Sequence, residues 1–155
     1  MRGLPGLVLA KHCNMKKYIS KSYGDTVKVA KEFTKMVKNG DIVLLQGDLG
    51  AGKTAFVKAF VNALGGDENV VTSPTFTLVN EYVVDAQTIY HFDLYRIESE
   101  DELYNIGIEE YLYSNAICFI EWPERADMLL SDTQAKIVIK KIDDKTREIQ
   151  IIKKD

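Results

Sequence analysis

An α/β sandwich around a mixed sheet is the fold class that this chain predicts, and three observations predict it. Apolar runs of strand length alternate with stretches of helical spacing, in the order β-α-β-α-ββ-α-β-α-ββ. One apolar run, Ile42-Val43-Leu44-Leu45, passes through a glycine-rich loop into a helical stretch, the unit from which parallel sheets are built. Two pairs of strand-like runs are joined by short polar turns, Asp85-Ala86-Gln87 and Asp143-Asp144-Lys145-Thr146, so hairpins must add antiparallel strands. The sheet should therefore hold about seven strands and be parallel only around residues 42–45.

Composition fits that class. At 155 residues the chain is long enough for one domain with a real core. Apolar content of 46% and charged content of 28% are those of an ordinary globular protein. A net charge of −3 excludes a chain that binds nucleic acid by bulk electrostatics. Cys13 and Cys118 are too few for a disulfide framework, and no metal-ligand spacing joins them to His12 or His91. No run of apolar residues is long enough for a membrane-spanning helix.

Residues 1–15 stand outside the pattern. Their short apolar stretch contains Pro5 and Gly6 and lacks a small-x-small cleavage site, so they read as an extension from a vector or alternative start, mobile in solution. A single domain then spans residues 16–155. Residues 16–22 read as a strand. Asp25 or Thr26 caps a helix reaching to around residue 38, with Val27, Ala30, Phe33 and Val37 inside and a solvated lysine stripe outside; Gly40 stops it. Phe56, Ala59, Phe60, Ala63 and Leu64 form the inner face of the helix after the glycine loop. Residues 65–69 are loop, and 76–84 and 88–94 form a hairpin. Residues 98–113 are an acidic helix that Gly107 breaks in two. The continuous apolar run 116–120 reads as a central strand buried on both faces. Residues 123–130 suit a short helix, and 136–142 and 147–153 close the chain as a hairpin.

The glycine loop carries the chemistry. Gly47, Asp48, Leu49, Gly50, Ala51, Gly52, Lys53 and Thr54 match G-x-x-x-x-G-K-[ST]. Glycine permits positive φ and lets the backbone approach a phosphate without a Cβ clash. The loop N–H groups then form a concave anion site. The helix that starts near Gly52 and runs through Ala55 adds its positive dipole end. Lys53 is expected against the β- and γ-phosphates, and the Thr54 hydroxyl on Mg²⁺. The expected fold is thus a P-loop NTPase-like three-layer sandwich, with ATP–Mg²⁺ at the carboxyl edge of its parallel strands.

Hydrolysis needs carboxylates at the same edge. Two apolar strands end in one: Ile89-Tyr90-His91-Phe92-Asp93 and Ile117-Cys118-Phe119-Ile120-Glu121. A carboxylate closing a buried strand is costly without a cation or donors. Strand capping accounts for such a residue, and so does a place in a nucleotide site. We assign Asp93 to Mg²⁺, with Thr54, and Glu121 to the attacking water, with Mg²⁺ also within its reach. Ser73-Pro74-Thr75 follows the P-loop helix, where a mobile element can sense the γ-phosphate. Trp122, directly after Glu121, reads as a core aromatic.

The set GDLGAGKT, TSPTF, HFDLYR and IEWPER, in that order and spacing, resembles the TsaE (YjeE) family over roughly residues 17–130. The resemblance implies a small bacterial ATPase needed to make threonylcarbamoyladenosine in tRNA. It implies TsaD and TsaB as protein partners, tRNA met only through that complex, and work in the cytoplasm with no membrane. It places the Walker loop at residues 47–54 and a switch-type loop at Ser73-Pro74-Thr75, with Asp93, Glu121 and Trp122 at other nucleotide-site positions.

Two other readings share the P-loop. One is a small-molecule kinase. It is disfavoured because the only arginines are Arg2, Arg96, Arg125 and Arg147, of which only Arg96 and Arg125 lie near the motifs in sequence. The other is a nucleotide-dependent binding switch. A guanine-reading [NT]-K-x-D motif is absent, which weakens a GTPase reading.

Overall fold

A computed structural model describes residues 13–130 and 133–154. The chain folds as β1 (Cys13–Ser20), α1 (Tyr23–Thr34), β2 (Ile42–Gln46), α2 (Lys53–Ala63), β3 (Val79–Val84), β4 (Gln87–Asp93), α3 (Glu100–Asn105), α4 (Ile108–Leu112), β5 (Ile117–Glu121), β6 (Ala135–Lys141) and β7 (Arg147–Lys154), with 3₁₀ segments at Glu68–Val70 and Pro123–Leu129. The strands form one seven-stranded sheet in the order β1-β7-β6-β2-β5-β4-β3. Strands β6, β2, β5 and β4 run parallel, while β1, β7 and β3 join antiparallel. The expected mixed α/β sandwich is therefore observed, down to the break at Gly107.

The buried pattern follows the sheet position of each strand. β2 and β5 lie in the middle and are covered on both faces, which is why IVLL and ICFI are apolar without alternation. Alternate residues feed two clusters. Val43, Leu45 and Phe119 pack under α1 and α2, while Ile42, Leu44, Cys118 and Ile120 pack under α3, α4 and the second 3₁₀ segment. Phe33, Phe56, Phe60 and Phe119 meet edge-on or tilted, with Phe60 and Phe119 centroids 5.0 Å apart. Cys118 is an inert core thiol, pushed up to about 12 by burial.

Several boundaries differ from the sequence reading, each for a local reason. β1 begins at Cys13, because residues 13–15 pair with Ile152, Lys153 and Lys154; the rest of the proposed extension lies outside the described residues. Ser22, not Asp25 or Thr26, caps α1, its hydroxyl accepting from Asp25 N at 3.1 Å. Thr26 is instead buried against Ser20, its Oγ1 2.7 Å from Ser20 Oγ. The helix ends at Thr34, and its buried residues are Thr26, Val29, Ala30 and Phe33, with Val27 and Val37 only partly covered. β3 starts at Val79 because Leu78 turns back to Pro74 O with φ of 73°.

Topology brings the chemistry to one edge. Leu45 pairs with Glu121, and Glu121 with Asp93, so the ends of β2, β5 and β4 form one row across the sheet. Because the three strands are parallel, the loop leaving β2 and both carboxylates share the carboxyl edge.

Candidate phosphate-binding site

The loop between β2 and α2 has the backbone that its glycines allow. Gly50 and Gly52 adopt φ of 79° and 115°, and Gly52 is the α2 N-cap with no side-chain cap of its own. At Gly47 the constraint is space: a Cβ there would lie 2.6 Å from Ile139 O on β6. The first N–H groups of α2 have no partners within the helix, so they and its dipole face the loop.

Lys53 is the first residue of α2, yet its side chain is only 6% exposed. Its Nζ donates to Gly47 O at 2.6 Å, lies 4.0 Å from Glu121 Oε1 and sits 4.5 Å above the Trp122 ring. The ammonium is thus folded across the mouth of its own loop. Trp122 takes a left-handed φ of 59°, uncommon for a bulky residue, and its ring packs against Tyr95 at 5.0 Å. It is half-buried, so it is a wall of the site rather than a core aromatic. A cavity of about 180 Å³ is lined by Gly47, Asp48, Lys53, Trp122 and Glu124.

Glu121 and Asp93 are each 4% exposed. Around Glu121 stand Lys53, the Thr54 hydroxyl at 3.5 Å and His91 Nε2, which donates at 2.7 Å. A carboxylate only accepts, so this contact fixes the His91 tautomer; the fully buried Nδ1 has no partner among the described residues. Around Asp93 stand neutral donors: Thr75 Oγ1 at 2.8 Å on Oδ2 and Tyr95 N at 3.0 Å on Oδ1.

The predicted residues therefore fall into three groups. The loop, Lys53, Thr54, Glu121 and Trp122 meet directly. Asp93 and Thr75 form a pair beside them, with Ser73 joined through its hydroxyl 2.8 Å from Thr75 Oγ1. Leu49 is 71% exposed and Asp48 is also exposed, with Asp48 lining the smaller cavity. Ala55 lines a second cavity, of about 500 Å³, on the other side of the loop with Ser22, Tyr23, Gly52 and Arg147. Sequence reasoning missed His91 as the partner of Glu121, although its place two residues before Asp93 puts both on one face of β4. It also set Arg147 apart from the motifs. The fold corrects this by placing Arg147 Nε 2.8 Å from Ala51 O. Nothing in the local sequence signals that contact, because the two residues meet only through the sheet order.

The loop end of the site could receive an anion. Paired positive-φ glycines, a helix start and a buried lysine form an anion cradle. Among the described residues no three His, Cys, Asp or Glu side chains converge as a metal group.

Comparison with known proteins places the chain in a family. Residues 20–149 match the family described as "Threonylcarbamoyl adenosine biosynthesis protein TsaE". A Bacillus subtilis tRNA threonylcarbamoyladenosine biosynthesis protein TsaE is 41% identical over 81% of this chain and 77% of its own length. The Treponema pallidum protein of that name is 38% identical over 86% of this chain and 97% of its own. The crystal structure of YdiB from Bacillus subtilis superposes with a TM-score of 0.70 and 31% identity, covering 94% of this chain and 90% of that one. With its P-loop NTPase-like sheet and all four motifs at one edge, the chain belongs to the TsaE family.

Proposed function

We propose that this protein is an ATPase that supports threonylcarbamoyladenosine formation in tRNA, acting with TsaD and TsaB in the cytoplasm. The observation that carries the reading is the convergence of Lys53, Thr54 and Glu121 on the mouth of a glycine loop. The family match, and the tRNA threonylcarbamoyladenosine biosynthesis for which relatives such as the Bacillus subtilis protein are named, support the pathway.

In this reading the loop N–H groups of residues 47–55 and the Lys53 ammonium hold the β- and γ-phosphates. Thr54 and Asp93 would hold Mg²⁺, with Glu121 within its reach; the ion neutralises charge on the phosphates when bound. Glu121 orients the attacking water and accepts its proton, and His91 and Lys53 set the direction of that carboxylate. Trp122 and Tyr95 wall the site. Thr75, bonded to Asp93, reports the state of the phosphates to the exposed surface. There Phe76 is 83% exposed, with the Arg96 guanidinium 4.4 Å above its ring. Loss of the γ-phosphate changes this surface, so TsaD–TsaB association should depend on nucleotide. In this reading the tRNA is met through that complex, since a net charge of −3 gives the chain little bulk attraction for phosphates.

The test is ATP hydrolysis by the chain alone and with TsaD and TsaB, with and without tRNA. Stimulated turnover yielding ADP and free phosphate is expected. A phosphorylated small molecule would instead indicate a kinase, and equal pull-down of partners with ATP analogue, ADP or no nucleotide would sink the switch.

A further inference from the structure

Arg147 opens β7, far in sequence from the loop, yet bridges to it. Its Nε donates to Ala51 O at 2.8 Å, and its Nη1 to Asp143 O at 2.9 Å and Thr146 O at 3.3 Å. One guanidinium thus ties the loop to the turn between β6 and β7. Peptide geometry gives the tie a consequence. In a planar trans peptide the carbonyl oxygen and the following N–H point in opposite directions. Ala51 O shares its peptide with Gly52 N, so holding the oxygen on the hairpin side turns the Gly52 N–H away from the hairpin. That N–H has no acceptor among the described residues. A flip of this peptide turns ψ of Ala51 and φ of Gly52, and at Gly52, which sits at φ of 115° and has no Cβ, it meets little steric resistance. Something must hold it, and the guanidinium packs close enough that a Cβ on Gly52 would lie 3.7 Å from Nε.

We propose that Arg147 is a positioning residue for phosphate binding. It pins the Ala51–Gly52 peptide so that the Gly52 N–H is presented to the phosphate chain of a nucleoside triphosphate. This rests on the ATP reading of the loop. Arg147 acts through the loop rather than on the ligand. The same side chain also lines the 500 Å³ cavity beside Gly52 and Ala55, where it could instead touch a nucleoside, and the experiment separates the two.

ATP and inorganic tripolyphosphate, each with Mg²⁺, are titrated calorimetrically into the wild-type chain, Arg147→Gln, Arg147→Lys and Asp143→Ala, with melting of each ligand-free protein recorded alongside. Loss of the pin should weaken both ligands about tenfold in Arg147→Gln, the effect of one charge-assisted hydrogen bond. Arg147→Lys, keeping one donor, should recover part of that loss and carries the test if Arg147→Gln does not fold. Asp143 accepts from Lys145 N and Thr146 N at 2.9 Å in the same turn. Asp143→Ala should loosen the hairpin yet keep both affinities within about twofold of wild type. Unchanged affinities in both Arg147 variants overturn the proposal. So does a loss seen with ATP only, which assigns Arg147 to the nucleoside, or an equal loss in Asp143→Ala, which assigns the effect to hairpin order. A wild-type chain that binds neither ligand removes the ATP reading itself, and this inference with it.

Discussion

The ends of β4 and β5 are neighbours with opposite surroundings. Asp93 and Glu121 pair in register and are equally buried. Glu121 stands among Lys53, His91 and the Thr54 hydroxyl, at the mouth of the loop. Asp93 is held by a threonine hydroxyl and a backbone N–H, one step further from the loop. Two strands with the same apolar-then-acidic pattern thus end in carboxylates with different surroundings, to which the proposed reading gives different work. In the proposed reading, a carboxylate held by an ammonium and an imidazole N–H is aimed at the reacting centre. A carboxylate held by a loop hydroxyl can exchange that donor for an ordered water on Mg²⁺.

The largest effect expected from breaking this contrast comes at Glu121. Glu121→Gln keeps the shape and one acceptor oxygen but cannot take up a proton, so hydrolysis should fall by about 10²–10⁴-fold while ATP binding persists. Single-turnover hydrolysis alongside calorimetry checks this, and unchanged turnover would leave Glu121 as a strand cap. Next comes Lys53, the side-chain cation the loop supplies. Lys53→Ala should weaken ATP–Mg²⁺ binding by roughly ten- to hundredfold, measured by titration calorimetry. An unchanged affinity there would count against the phosphate site altogether. The smallest effect lies on the Asp93 side. Thr75→Val removes one donor from Asp93 while keeping the side-chain shape, and should cost the ligand-free protein about 1.5 kcal/mol in chemical denaturation. It should leave single-turnover hydrolysis within about threefold of wild type. A loss as deep as that of Glu121→Gln would erase the distinction between the two sides.

How far the sequence reaches follows the same line. The strand–loop–helix unit was legible because a few residue types leave the backbone little choice, and the structure places it as read. The central strands were legible because burial on both faces removes alternation, as in 42–45 and 117–120. Both carboxylates could be sent to one edge by parallel order alone. Their difference could not be read, because His91 reaches Glu121 across a strand pair and Thr75 reaches Asp93 from a loop 18 positions away. Residues 76–78 carry strand-like side chains, but Leu78 N bonds Pro74 O instead of a neighbouring strand. Ser22 outcompetes Asp25 as the cap because β1 ends at Ser20 and delivers Ser22 in an extended conformation to the first turn. Arg147 shows the limit most plainly, since its partner is set by the order β1-β7-β6-β2 and by nothing near it in the chain.

The division between the two carboxylates is tested most directly by one measurement. ATP affinity is determined across a Mg²⁺ series for wild type, Asp93→Asn and Glu121→Gln side by side. The account predicts that Glu121→Gln follows the wild-type curve, while Asp93→Asn needs at least about tenfold more Mg²⁺ to reach half its affinity gain. A normal Mg²⁺ curve for Asp93→Asn with a displaced one for Glu121→Gln would exchange the two roles and contradict the account.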